Sequence, residues 1–298
     1  ESTLTSKLNL EIPLWKKRTS LLLSGRTTYS DWILGMLPKK SGYKNGKAGF
    51  YDIGATFSHT FNVRNKLNVY GYYSRDRFAF SDYEKYGYGN MNVSAHWRSI
   101  FNEKLIGNFS VGYDHYDYRN DETEDSWEAA RLSFAINQYF AKANFNLNMD
   151  KHKLKFGASS LLYNINSGKY EPLGDKSMVI LDELQKDKAL ESALYLDEEW
   201  EVTPKLSLNA GIRYSMFNAL GPRDYYTYQP GTLPSENTIA DTVRVTGNKF
   251  LKTYHGPEFR LSGRYAFTDD FSAKIGFNTM RQYIHKVSNT SIMSPTDT

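Results

Sequence analysis

The chain has no cysteine, which excludes a disulfide framework, a zinc–thiolate site and a cysteine nucleophile. It has no apolar run near the ~18 residues that a transmembrane helix needs. Net charge is only +4, and the basic residues are dispersed rather than gathered into a nucleic-acid footprint. Nucleic acid is therefore not an expected partner. The histidines, His59, His96, His115, His152, His255 and His285, show none of the spacings of a zinc-binding helix. Glycine-rich phosphate loops and a nucleophile elbow are missing too. No catalytic set, metal site or cofactor is predicted, and the chain does not read as an enzyme.

What the chain does have is aromatic side chains. They make up 15% of it, with 23 Tyr, 17 Phe and 5 Trp, although the mean hydropathy is negative. The stretch Leu194 to Phe217 shows how they are used. Leu194, Leu196, Trp200 and Val202 alternate with Tyr195, Asp197, Glu199 and Glu201. After a Thr203-Pro204-Lys205 turn, Leu206, Leu208, Ala210, Ile212, Tyr214 and Met216 alternate with Ser207, Asn209, Gly211, Arg213 and Ser215. Period-two alternation predicts a β-hairpin with one apolar and one polar face. The question is whether the apolar face meets protein or lipid.

The pattern recurs along the chain and predicts about twelve strands. Short turns near Trp15-Lys16-Lys17, Asn62–Asn65, Phe101–Lys104, Met149–His152, Thr203–Lys205 and Thr268–Asp270 alternate with long connections, the longest from about Asn218 to Lys249. Outer-membrane barrels sort their loops in this way, and a soluble sandwich has no reason to. Glu11, Arg26, Arg98, Lys142, Lys155, Glu199, Arg213, Arg260, Arg264 and Lys274 share the polar parity. A wide lumen could hold that face, whereas a sandwich core could not. Trp15, Phe61, Phe101, Trp200, Phe267 and Phe271 suit one interfacial girdle, and Tyr29, Tyr73, Tyr113 and Tyr214 the other. The predicted class is all-β, an antiparallel transmembrane barrel wall with outer-membrane lipids as partners. On this reading Leu208, Ile212, Phe259 and Ile275 lie under no second protein layer. Two local features are also expected. A bulge around Asn137–Phe140 would absorb a phase change in the seventh strand, and Leu181–Ala189 is helix-compatible.

Several stretches resemble TonB-dependent outer-membrane receptors of the Bacteroidota type. They are Arg18 to Tyr29, Tyr51-Asp52-Ile53, Leu67 to Phe78, Glu191 to Phe217 with its Gly211-Ile212-Arg213-Tyr214, and Met280 to His285. The resemblance implies a barrel of about 22 strands occluded by an N-terminal plug. It also implies capture of ligand from outside, a TonB-ExbB-ExbD complex acting through that plug, and a surface lipoprotein as a candidate lid. Residues 1–298 are then expected to be early and middle barrel wall, with the plug domain and the C-terminal strands absent. The implied function is active import, across a Gram-negative outer membrane, of a scarce nutrient such as a siderophore, cobalamin, glycan or peptide. A passive channel or structural barrel, and a soluble tyrosine-rich β-binding protein, stay open beside it.

The candidate ligand contacts follow from parity and position. Arg26, Tyr70, Tyr72 and Asp76 fall on the lumen parity, where aromatic faces and a few placed charges suit recognition. Asp114 and Tyr116 open an acidic run reaching Asp125 at the barrel mouth. Clustered carboxylates there suit a hard cation or a cationic ligand, and a plainly solvated loop is the alternative. Tyr225, Tyr226 and Tyr228 lie in the longest loop, within reach of a ligand or a lid.

Overall fold

The computed structural model describes residues 4–15, 18–38, 40, 46–79, 81, 83–123 and 125–284. The first strands are β1 (Thr5–Leu14), β2 (Thr19–Thr28), β3 (Lys47–Asn62), β4 (Asn65–Ala79) and β5 (Glu84–Ile100). A short helix, α1 (Asp31–Gly35), lies between β2 and β3. Next come β6 (Leu105–Glu122), β7 (Ala130–Asn148), β8 (His152–Pro172), β9 (Asp182–Glu183) and β10 (Asp187–Thr203). The last are β11 (Leu206–Leu220), β12 (Arg223–Tyr228), β13 (Ile239–Val245), β14 (Phe250–Ala266) and β15 (Ser272–Asn278).

All but two strands join one 13-stranded sheet, in which successive long strands are neighbours from β1 to β15 and β9 adds only to β8. Strands β12 and β13 pair with each other as a separate hairpin. Every pairing is antiparallel. β1 and β15 do not pair among the described residues, so the sheet is an open wall.

The tight turns close through their own side chains. Asn62 Oδ1 accepts the Arg64 N–H at 2.9 Å, and Asn102 Oδ1 accepts those of Lys104 and Leu105 at 2.9 Å each. Thr203 Oγ1 accepts the Leu206 N–H at 3.0 Å. Short polar side chains that mimic a backbone turn are why the chain reverses here in so few residues. Of the first predicted turn, Lys16 and Lys17 lie outside the described residues. At the opposite end the strands themselves run on. β5, β6, β7 and β8 have 17, 18, 19 and 21 residues, well beyond the ~9–11 that cross a bilayer.

The register joins the alternating residues into two continuous faces. One row runs Leu10, Leu23, Ala55, Gly71, Val93, Tyr113, Tyr139 and Leu162 across β1 to β8. Another runs Phe156, Leu196, Ile212 and Phe259 across β8 to β14. Nothing covers this apolar face among the described residues. Leu208, Ile212, Phe259 and Ile275 are 39%, 46%, 42% and 80% exposed. The residues between them, from Arg26 on β2 to Lys274 on β15, form the polar face. One sheet has no second layer to make a core, so among the described residues the only side chains under 2% exposed are Ser215 and Asn218.

Aromatic rings mark both ends of the apolar band. Toward the tight turns, Trp97, Phe109, Phe145 and Phe156 follow one another at 5.8, 5.6 and 5.2 Å. His152 stacks on Trp200, and Phe267 lies 5.4 Å from Phe271. Toward the other end, Tyr51 meets Tyr73 at 6.1 Å and Tyr113 meets Tyr139 at 4.8 Å.

Two local expectations are corrected. No bulge occurs around Asn137–Phe140. The register of β7 against β8 is unbroken there, and its one shift falls between Ser133 and Ala135. Leu132, Phe134 and Ile136 instead keep to the polar face, where Phe134 rests on Tyr118 at 4.8 Å. Leu181–Ala189 is not helical. Asp182 and Glu183 pair with Tyr170 and Lys169, and β10 has begun by Asp187. Pairing with the overshooting end of β8 satisfies that backbone, so a lone helical turn has nothing to add.

Candidate functional site

The polar face carries the candidate residues because β2 to β6 are tied rung by rung. Arg26 on β2 stands opposite Asp52 on β3, which stands opposite Ser74, then Asn90, then Tyr116 on β6. The next rung toward the tight turns is Ser24, Gly54, Tyr72, Asn92 and Asp114, and the one beyond it includes Thr56, Tyr70 and Ser94. On the other side, Phe50, Asp76, Tyr88 and Tyr118 share a rung. Arg26, Tyr70, Tyr72, Asp76, Asp114 and Tyr116 therefore occupy consecutive rungs of one patch.

Contacts within the patch are direct. The Arg26 guanidinium donates from Nε to Asp52 Oδ2 at 2.7 Å and lies 4.8 Å from the Phe50 ring centroid. Asn92 donates to Asp114 Oδ1 at 2.5 Å. Tyr70 meets His96 edge-on at 5.2 Å. Tyr70 and Tyr72 line a hollow of about 450 Å³ with Ser24, Thr56, Asn92 and His96. Tyr88 and Tyr118 are 5.3 Å apart on the rung that holds Asp76. Such a surface offers ring faces, a guanidinium and carboxylates within a few rungs, the mixture that orients a polar ligand.

A second hollow, of about 300 Å³, lies farther round the same face between Asn144, Tyr195, Asp197, Arg213 and Arg260. Tyr195 donates its hydroxyl to Asn144 at 2.8 Å. Arg213 sits between Glu191 and Glu258 at 3.9 and 3.7 Å, and Ser215 donates to Glu258 at 2.7 Å. Asp52, Asn92, His96 and Glu258 were missed in the sequence. Their parity was readable, but their neighbours depend on register.

The acidic run is not one cluster. Alternation along β6 sends Asp114 and Tyr116 to the polar face and Asp117 and Asp121 to the apolar side, where arginines meet them. Asp117 lies 2.7 Å from Arg75, and Asp121 lies 2.6 Å from Arg131. Glu124 lies outside the described residues. Among the described residues no group of three His, Cys, Asp or Glu side chains could hold a metal ion.

Tyr225 and Tyr226 are not part of the patch. They stand on β12, opposite Val243 and Thr242, and are exposed. Arg223 pairs with Asp187, and the Asp224 N–H donates to Gln185 at 2.9 Å, which ties this hairpin to the start of β10. Asp224 accepts both Arg244 bonds at 3.1 Å, and those hydrogen bonds raise the guanidinium above its ordinary pKa.

Residues 11–281 match the family model described as TonB dependent receptor-like, beta-barrel. The ferric-catecholate import receptor Fiu from E. coli K12, in its open form, superposes with a TM-score of 0.63 at 11% identity, over 94% of this chain and 52% of its own. The copper transporter OprC gives 0.66 at 11%, over 92% and 44%. BauA, the ferric preacinetobactin receptor from Acinetobacter baumannii, gives 0.61 at 12%, over 91% and 44%. At these identities the likeness is one of fold, and the chain spans about half the length of these relatives or less. No curated protein matches it in sequence.

Proposed function

Because this chain belongs to the TonB dependent receptor-like β-barrel family, we propose that it is part of the wall of a Gram-negative outer-membrane importer. Residues 1–298 supply early and middle strands, and a plug domain fills the lumen and passes force from TonB-ExbB-ExbD. The observation that carries this reading is the pair of faces. An uncovered apolar face fits hydrocarbon, and the opposite face carries ions, amides and phenols suited to a wet interior.

The imported nutrient is a siderophore, cobalamin, glycan or peptide. Relatives named for ferric siderophores and for copper put a chelated metal first. Ligand entering from the mouth meets the patch of Arg26, Tyr70, Tyr72, Asp76, Asp114 and Tyr116. The wall holds it there while the plug moves. Tyr225 and Tyr226 on the outlying hairpin meet ligand earlier, or a surface lipoprotein lid of the Bacteroidota type.

The test is uptake of radiolabelled ferric siderophore, cobalamin, oligosaccharide and oligopeptide by cells with and without this gene. For the correct nutrient, gene-dependent uptake stops when TonB is deleted or the proton gradient is collapsed, while surface binding persists. Uptake that survives loss of TonB would sink active import and leave the passive channel.

A further inference from the structure

Beyond the tyrosine row, the outward side of the wall carries charge, and it does so unevenly. Around β6 to β8 the charges come in pairs: Arg75 with Asp117, Arg131 with Asp121, and Lys169 with Glu171. On β3 to β5 the register puts Lys47, Arg77 and Lys85 on the same side. Lys47 and Lys85 both stand opposite Ala79, and Arg77 stands between Gly49 and Gly87. All three are exposed. Among the described residues none of them has a carboxylate within ion-pair distance. Asp121, opposite Lys85, is taken at both oxygens by Arg131, at 2.6 and 2.8 Å.

These three cations, with Arg75 and Tyr51, line a hollow of about 610 Å³ at the ends of β2 to β5. Among the described residues its one carboxylate is Asp31, which accepts the Ala48 N–H at 3.0 Å. Directly below on β3 are Ile53, Ala55 and Phe57 of the apolar face. Each outward step along a tilted strand climbs about 5 Å. Lys47 and Arg77, each two outward steps beyond Tyr51 and Tyr73 on their own strands, therefore stand about 10 Å above the tyrosine row, and Lys85, three steps beyond Met91 on the rung of Tyr73, about 15 Å. A plain phospholipid head adds only about 5–8 Å to each side of the hydrocarbon. Anions at the height of these cations have to be carried on something taller, such as sugar rings.

We propose that this rim docks a phosphorylated glycolipid of the outer leaflet. Lys47, Arg77 and Lys85 take its phosphates, and its acyl chains lie on Ile53, Ala55 and Phe57. Cations beside a membrane attract anionic headgroups, and the apolar band beneath holds the same molecule by its other end. The inference rests on the barrel-wall reading.

The test uses the natural full-length protein in nanodiscs of neutral phosphatidylcholine, doped with bis-phosphorylated lipid A or its dephosphorylated form. Native mass spectrometry counts the glycolipid retained. The phosphorylated form is retained selectively, and Lys47→Ala/Arg77→Ala/Lys85→Ala weakens it on the order of 100-fold. Arg131→Ala/Lys169→Ala, which removes cations that already have partners, changes it less than about fivefold. Heat-modifiable electrophoretic mobility reports that each variant is folded. Equal retention of both glycolipids, or an unaffected triple variant, overturns the proposal and leaves the wall reading standing. Inorganic phosphate that binds as tightly as the lipid makes this a soluble-anion site and also overturns it. Failure to enter any lipid removes the wall reading, and this proposal with it.

Discussion

Neighbouring residues of β11 face opposite surroundings. Ile212 sits in a row of Phe156, Leu196 and Phe259 with none of the described residues over it, and its neighbour Arg213 reaches for Glu191 and Glu258. The two faces are stabilised by different means. The outward one gains from leaving water for hydrocarbon and has almost no contacts across a core. The inward one is held by local hydrogen bonds and ion pairs. A substitution should therefore be judged by its parity before its chemistry.

The most direct way to break that contrast is to put the same charge on each face. Ile212→Arg costs about 2–4 kcal/mol if its side chain meets the bilayer midplane, whereas Asn209→Arg, on the inward face of the same strand, loses the amide's bonds to Asp197 and the Glu198 carbonyl and costs only about 0.5–1.5 kcal/mol. Denaturant titration of folding into phosphatidylcholine vesicles compares them, and equal costs would dissolve the distinction between the faces. Gly157→Ala comes next, at about 1–3 kcal/mol. Its new methyl would sit 2.3 Å from the Ala143 carbonyl oxygen and 2.9 Å from the Tyr195 ring, and backbone cannot step aside as a side chain can. The same titration reads it, and a neutral result would show an inward face looser than these distances imply.

Smaller effects sharpen the comparison. Tyr195→Phe removes the hydroxyl that Asn144 accepts and costs about 0.5–1.5 kcal/mol, visible as a shift in the denaturation midpoint. Arg26→Gln loses a partly exposed ion pair and shifts stability by less than about 1 kcal/mol. It nevertheless weakens capture of the nutrient about tenfold, as expected for a lost charge-assisted bond, in equilibrium binding to whole cells. Unchanged affinity would remove Arg26 from the ligand patch.

The faces were legible because period-two alternation is local, and Ile212 and Arg213 declare their sides without reference to any other strand. The patch was legible only as a parity. That Arg26 shares a rung with Asp52, Ser74, Asn90 and Tyr116 depends on four registers, each set by a turn some distance away. Where the strands overshoot the apolar band, parity itself misleads. Leu132, Phe134 and Ile136 are apolar yet turn inward, because rings such as Tyr118 give them a dry surface there. Tyr225 and Tyr226 went unread as a strand because both sides of their hairpin are exposed, and exposure leaves no alternation to find.

The interval between the two aromatic rows has a consequence for where the protein can reside. On β7 it runs from Tyr139 to Phe145, which at about 3.4 Å per residue and a tilt of about 40° stands only about 16 Å tall. Typical hydrocarbon cores are ~30 Å thick. A wall this low would force a thick bilayer to pinch around it, at a fraction of a kcal/mol for each ångström of mismatch. It sits with less distortion in thin membranes, and the bacterial outer membrane is thinner than average. The ring spacing thus acts as a gauge of bilayer thickness, written into the strands themselves.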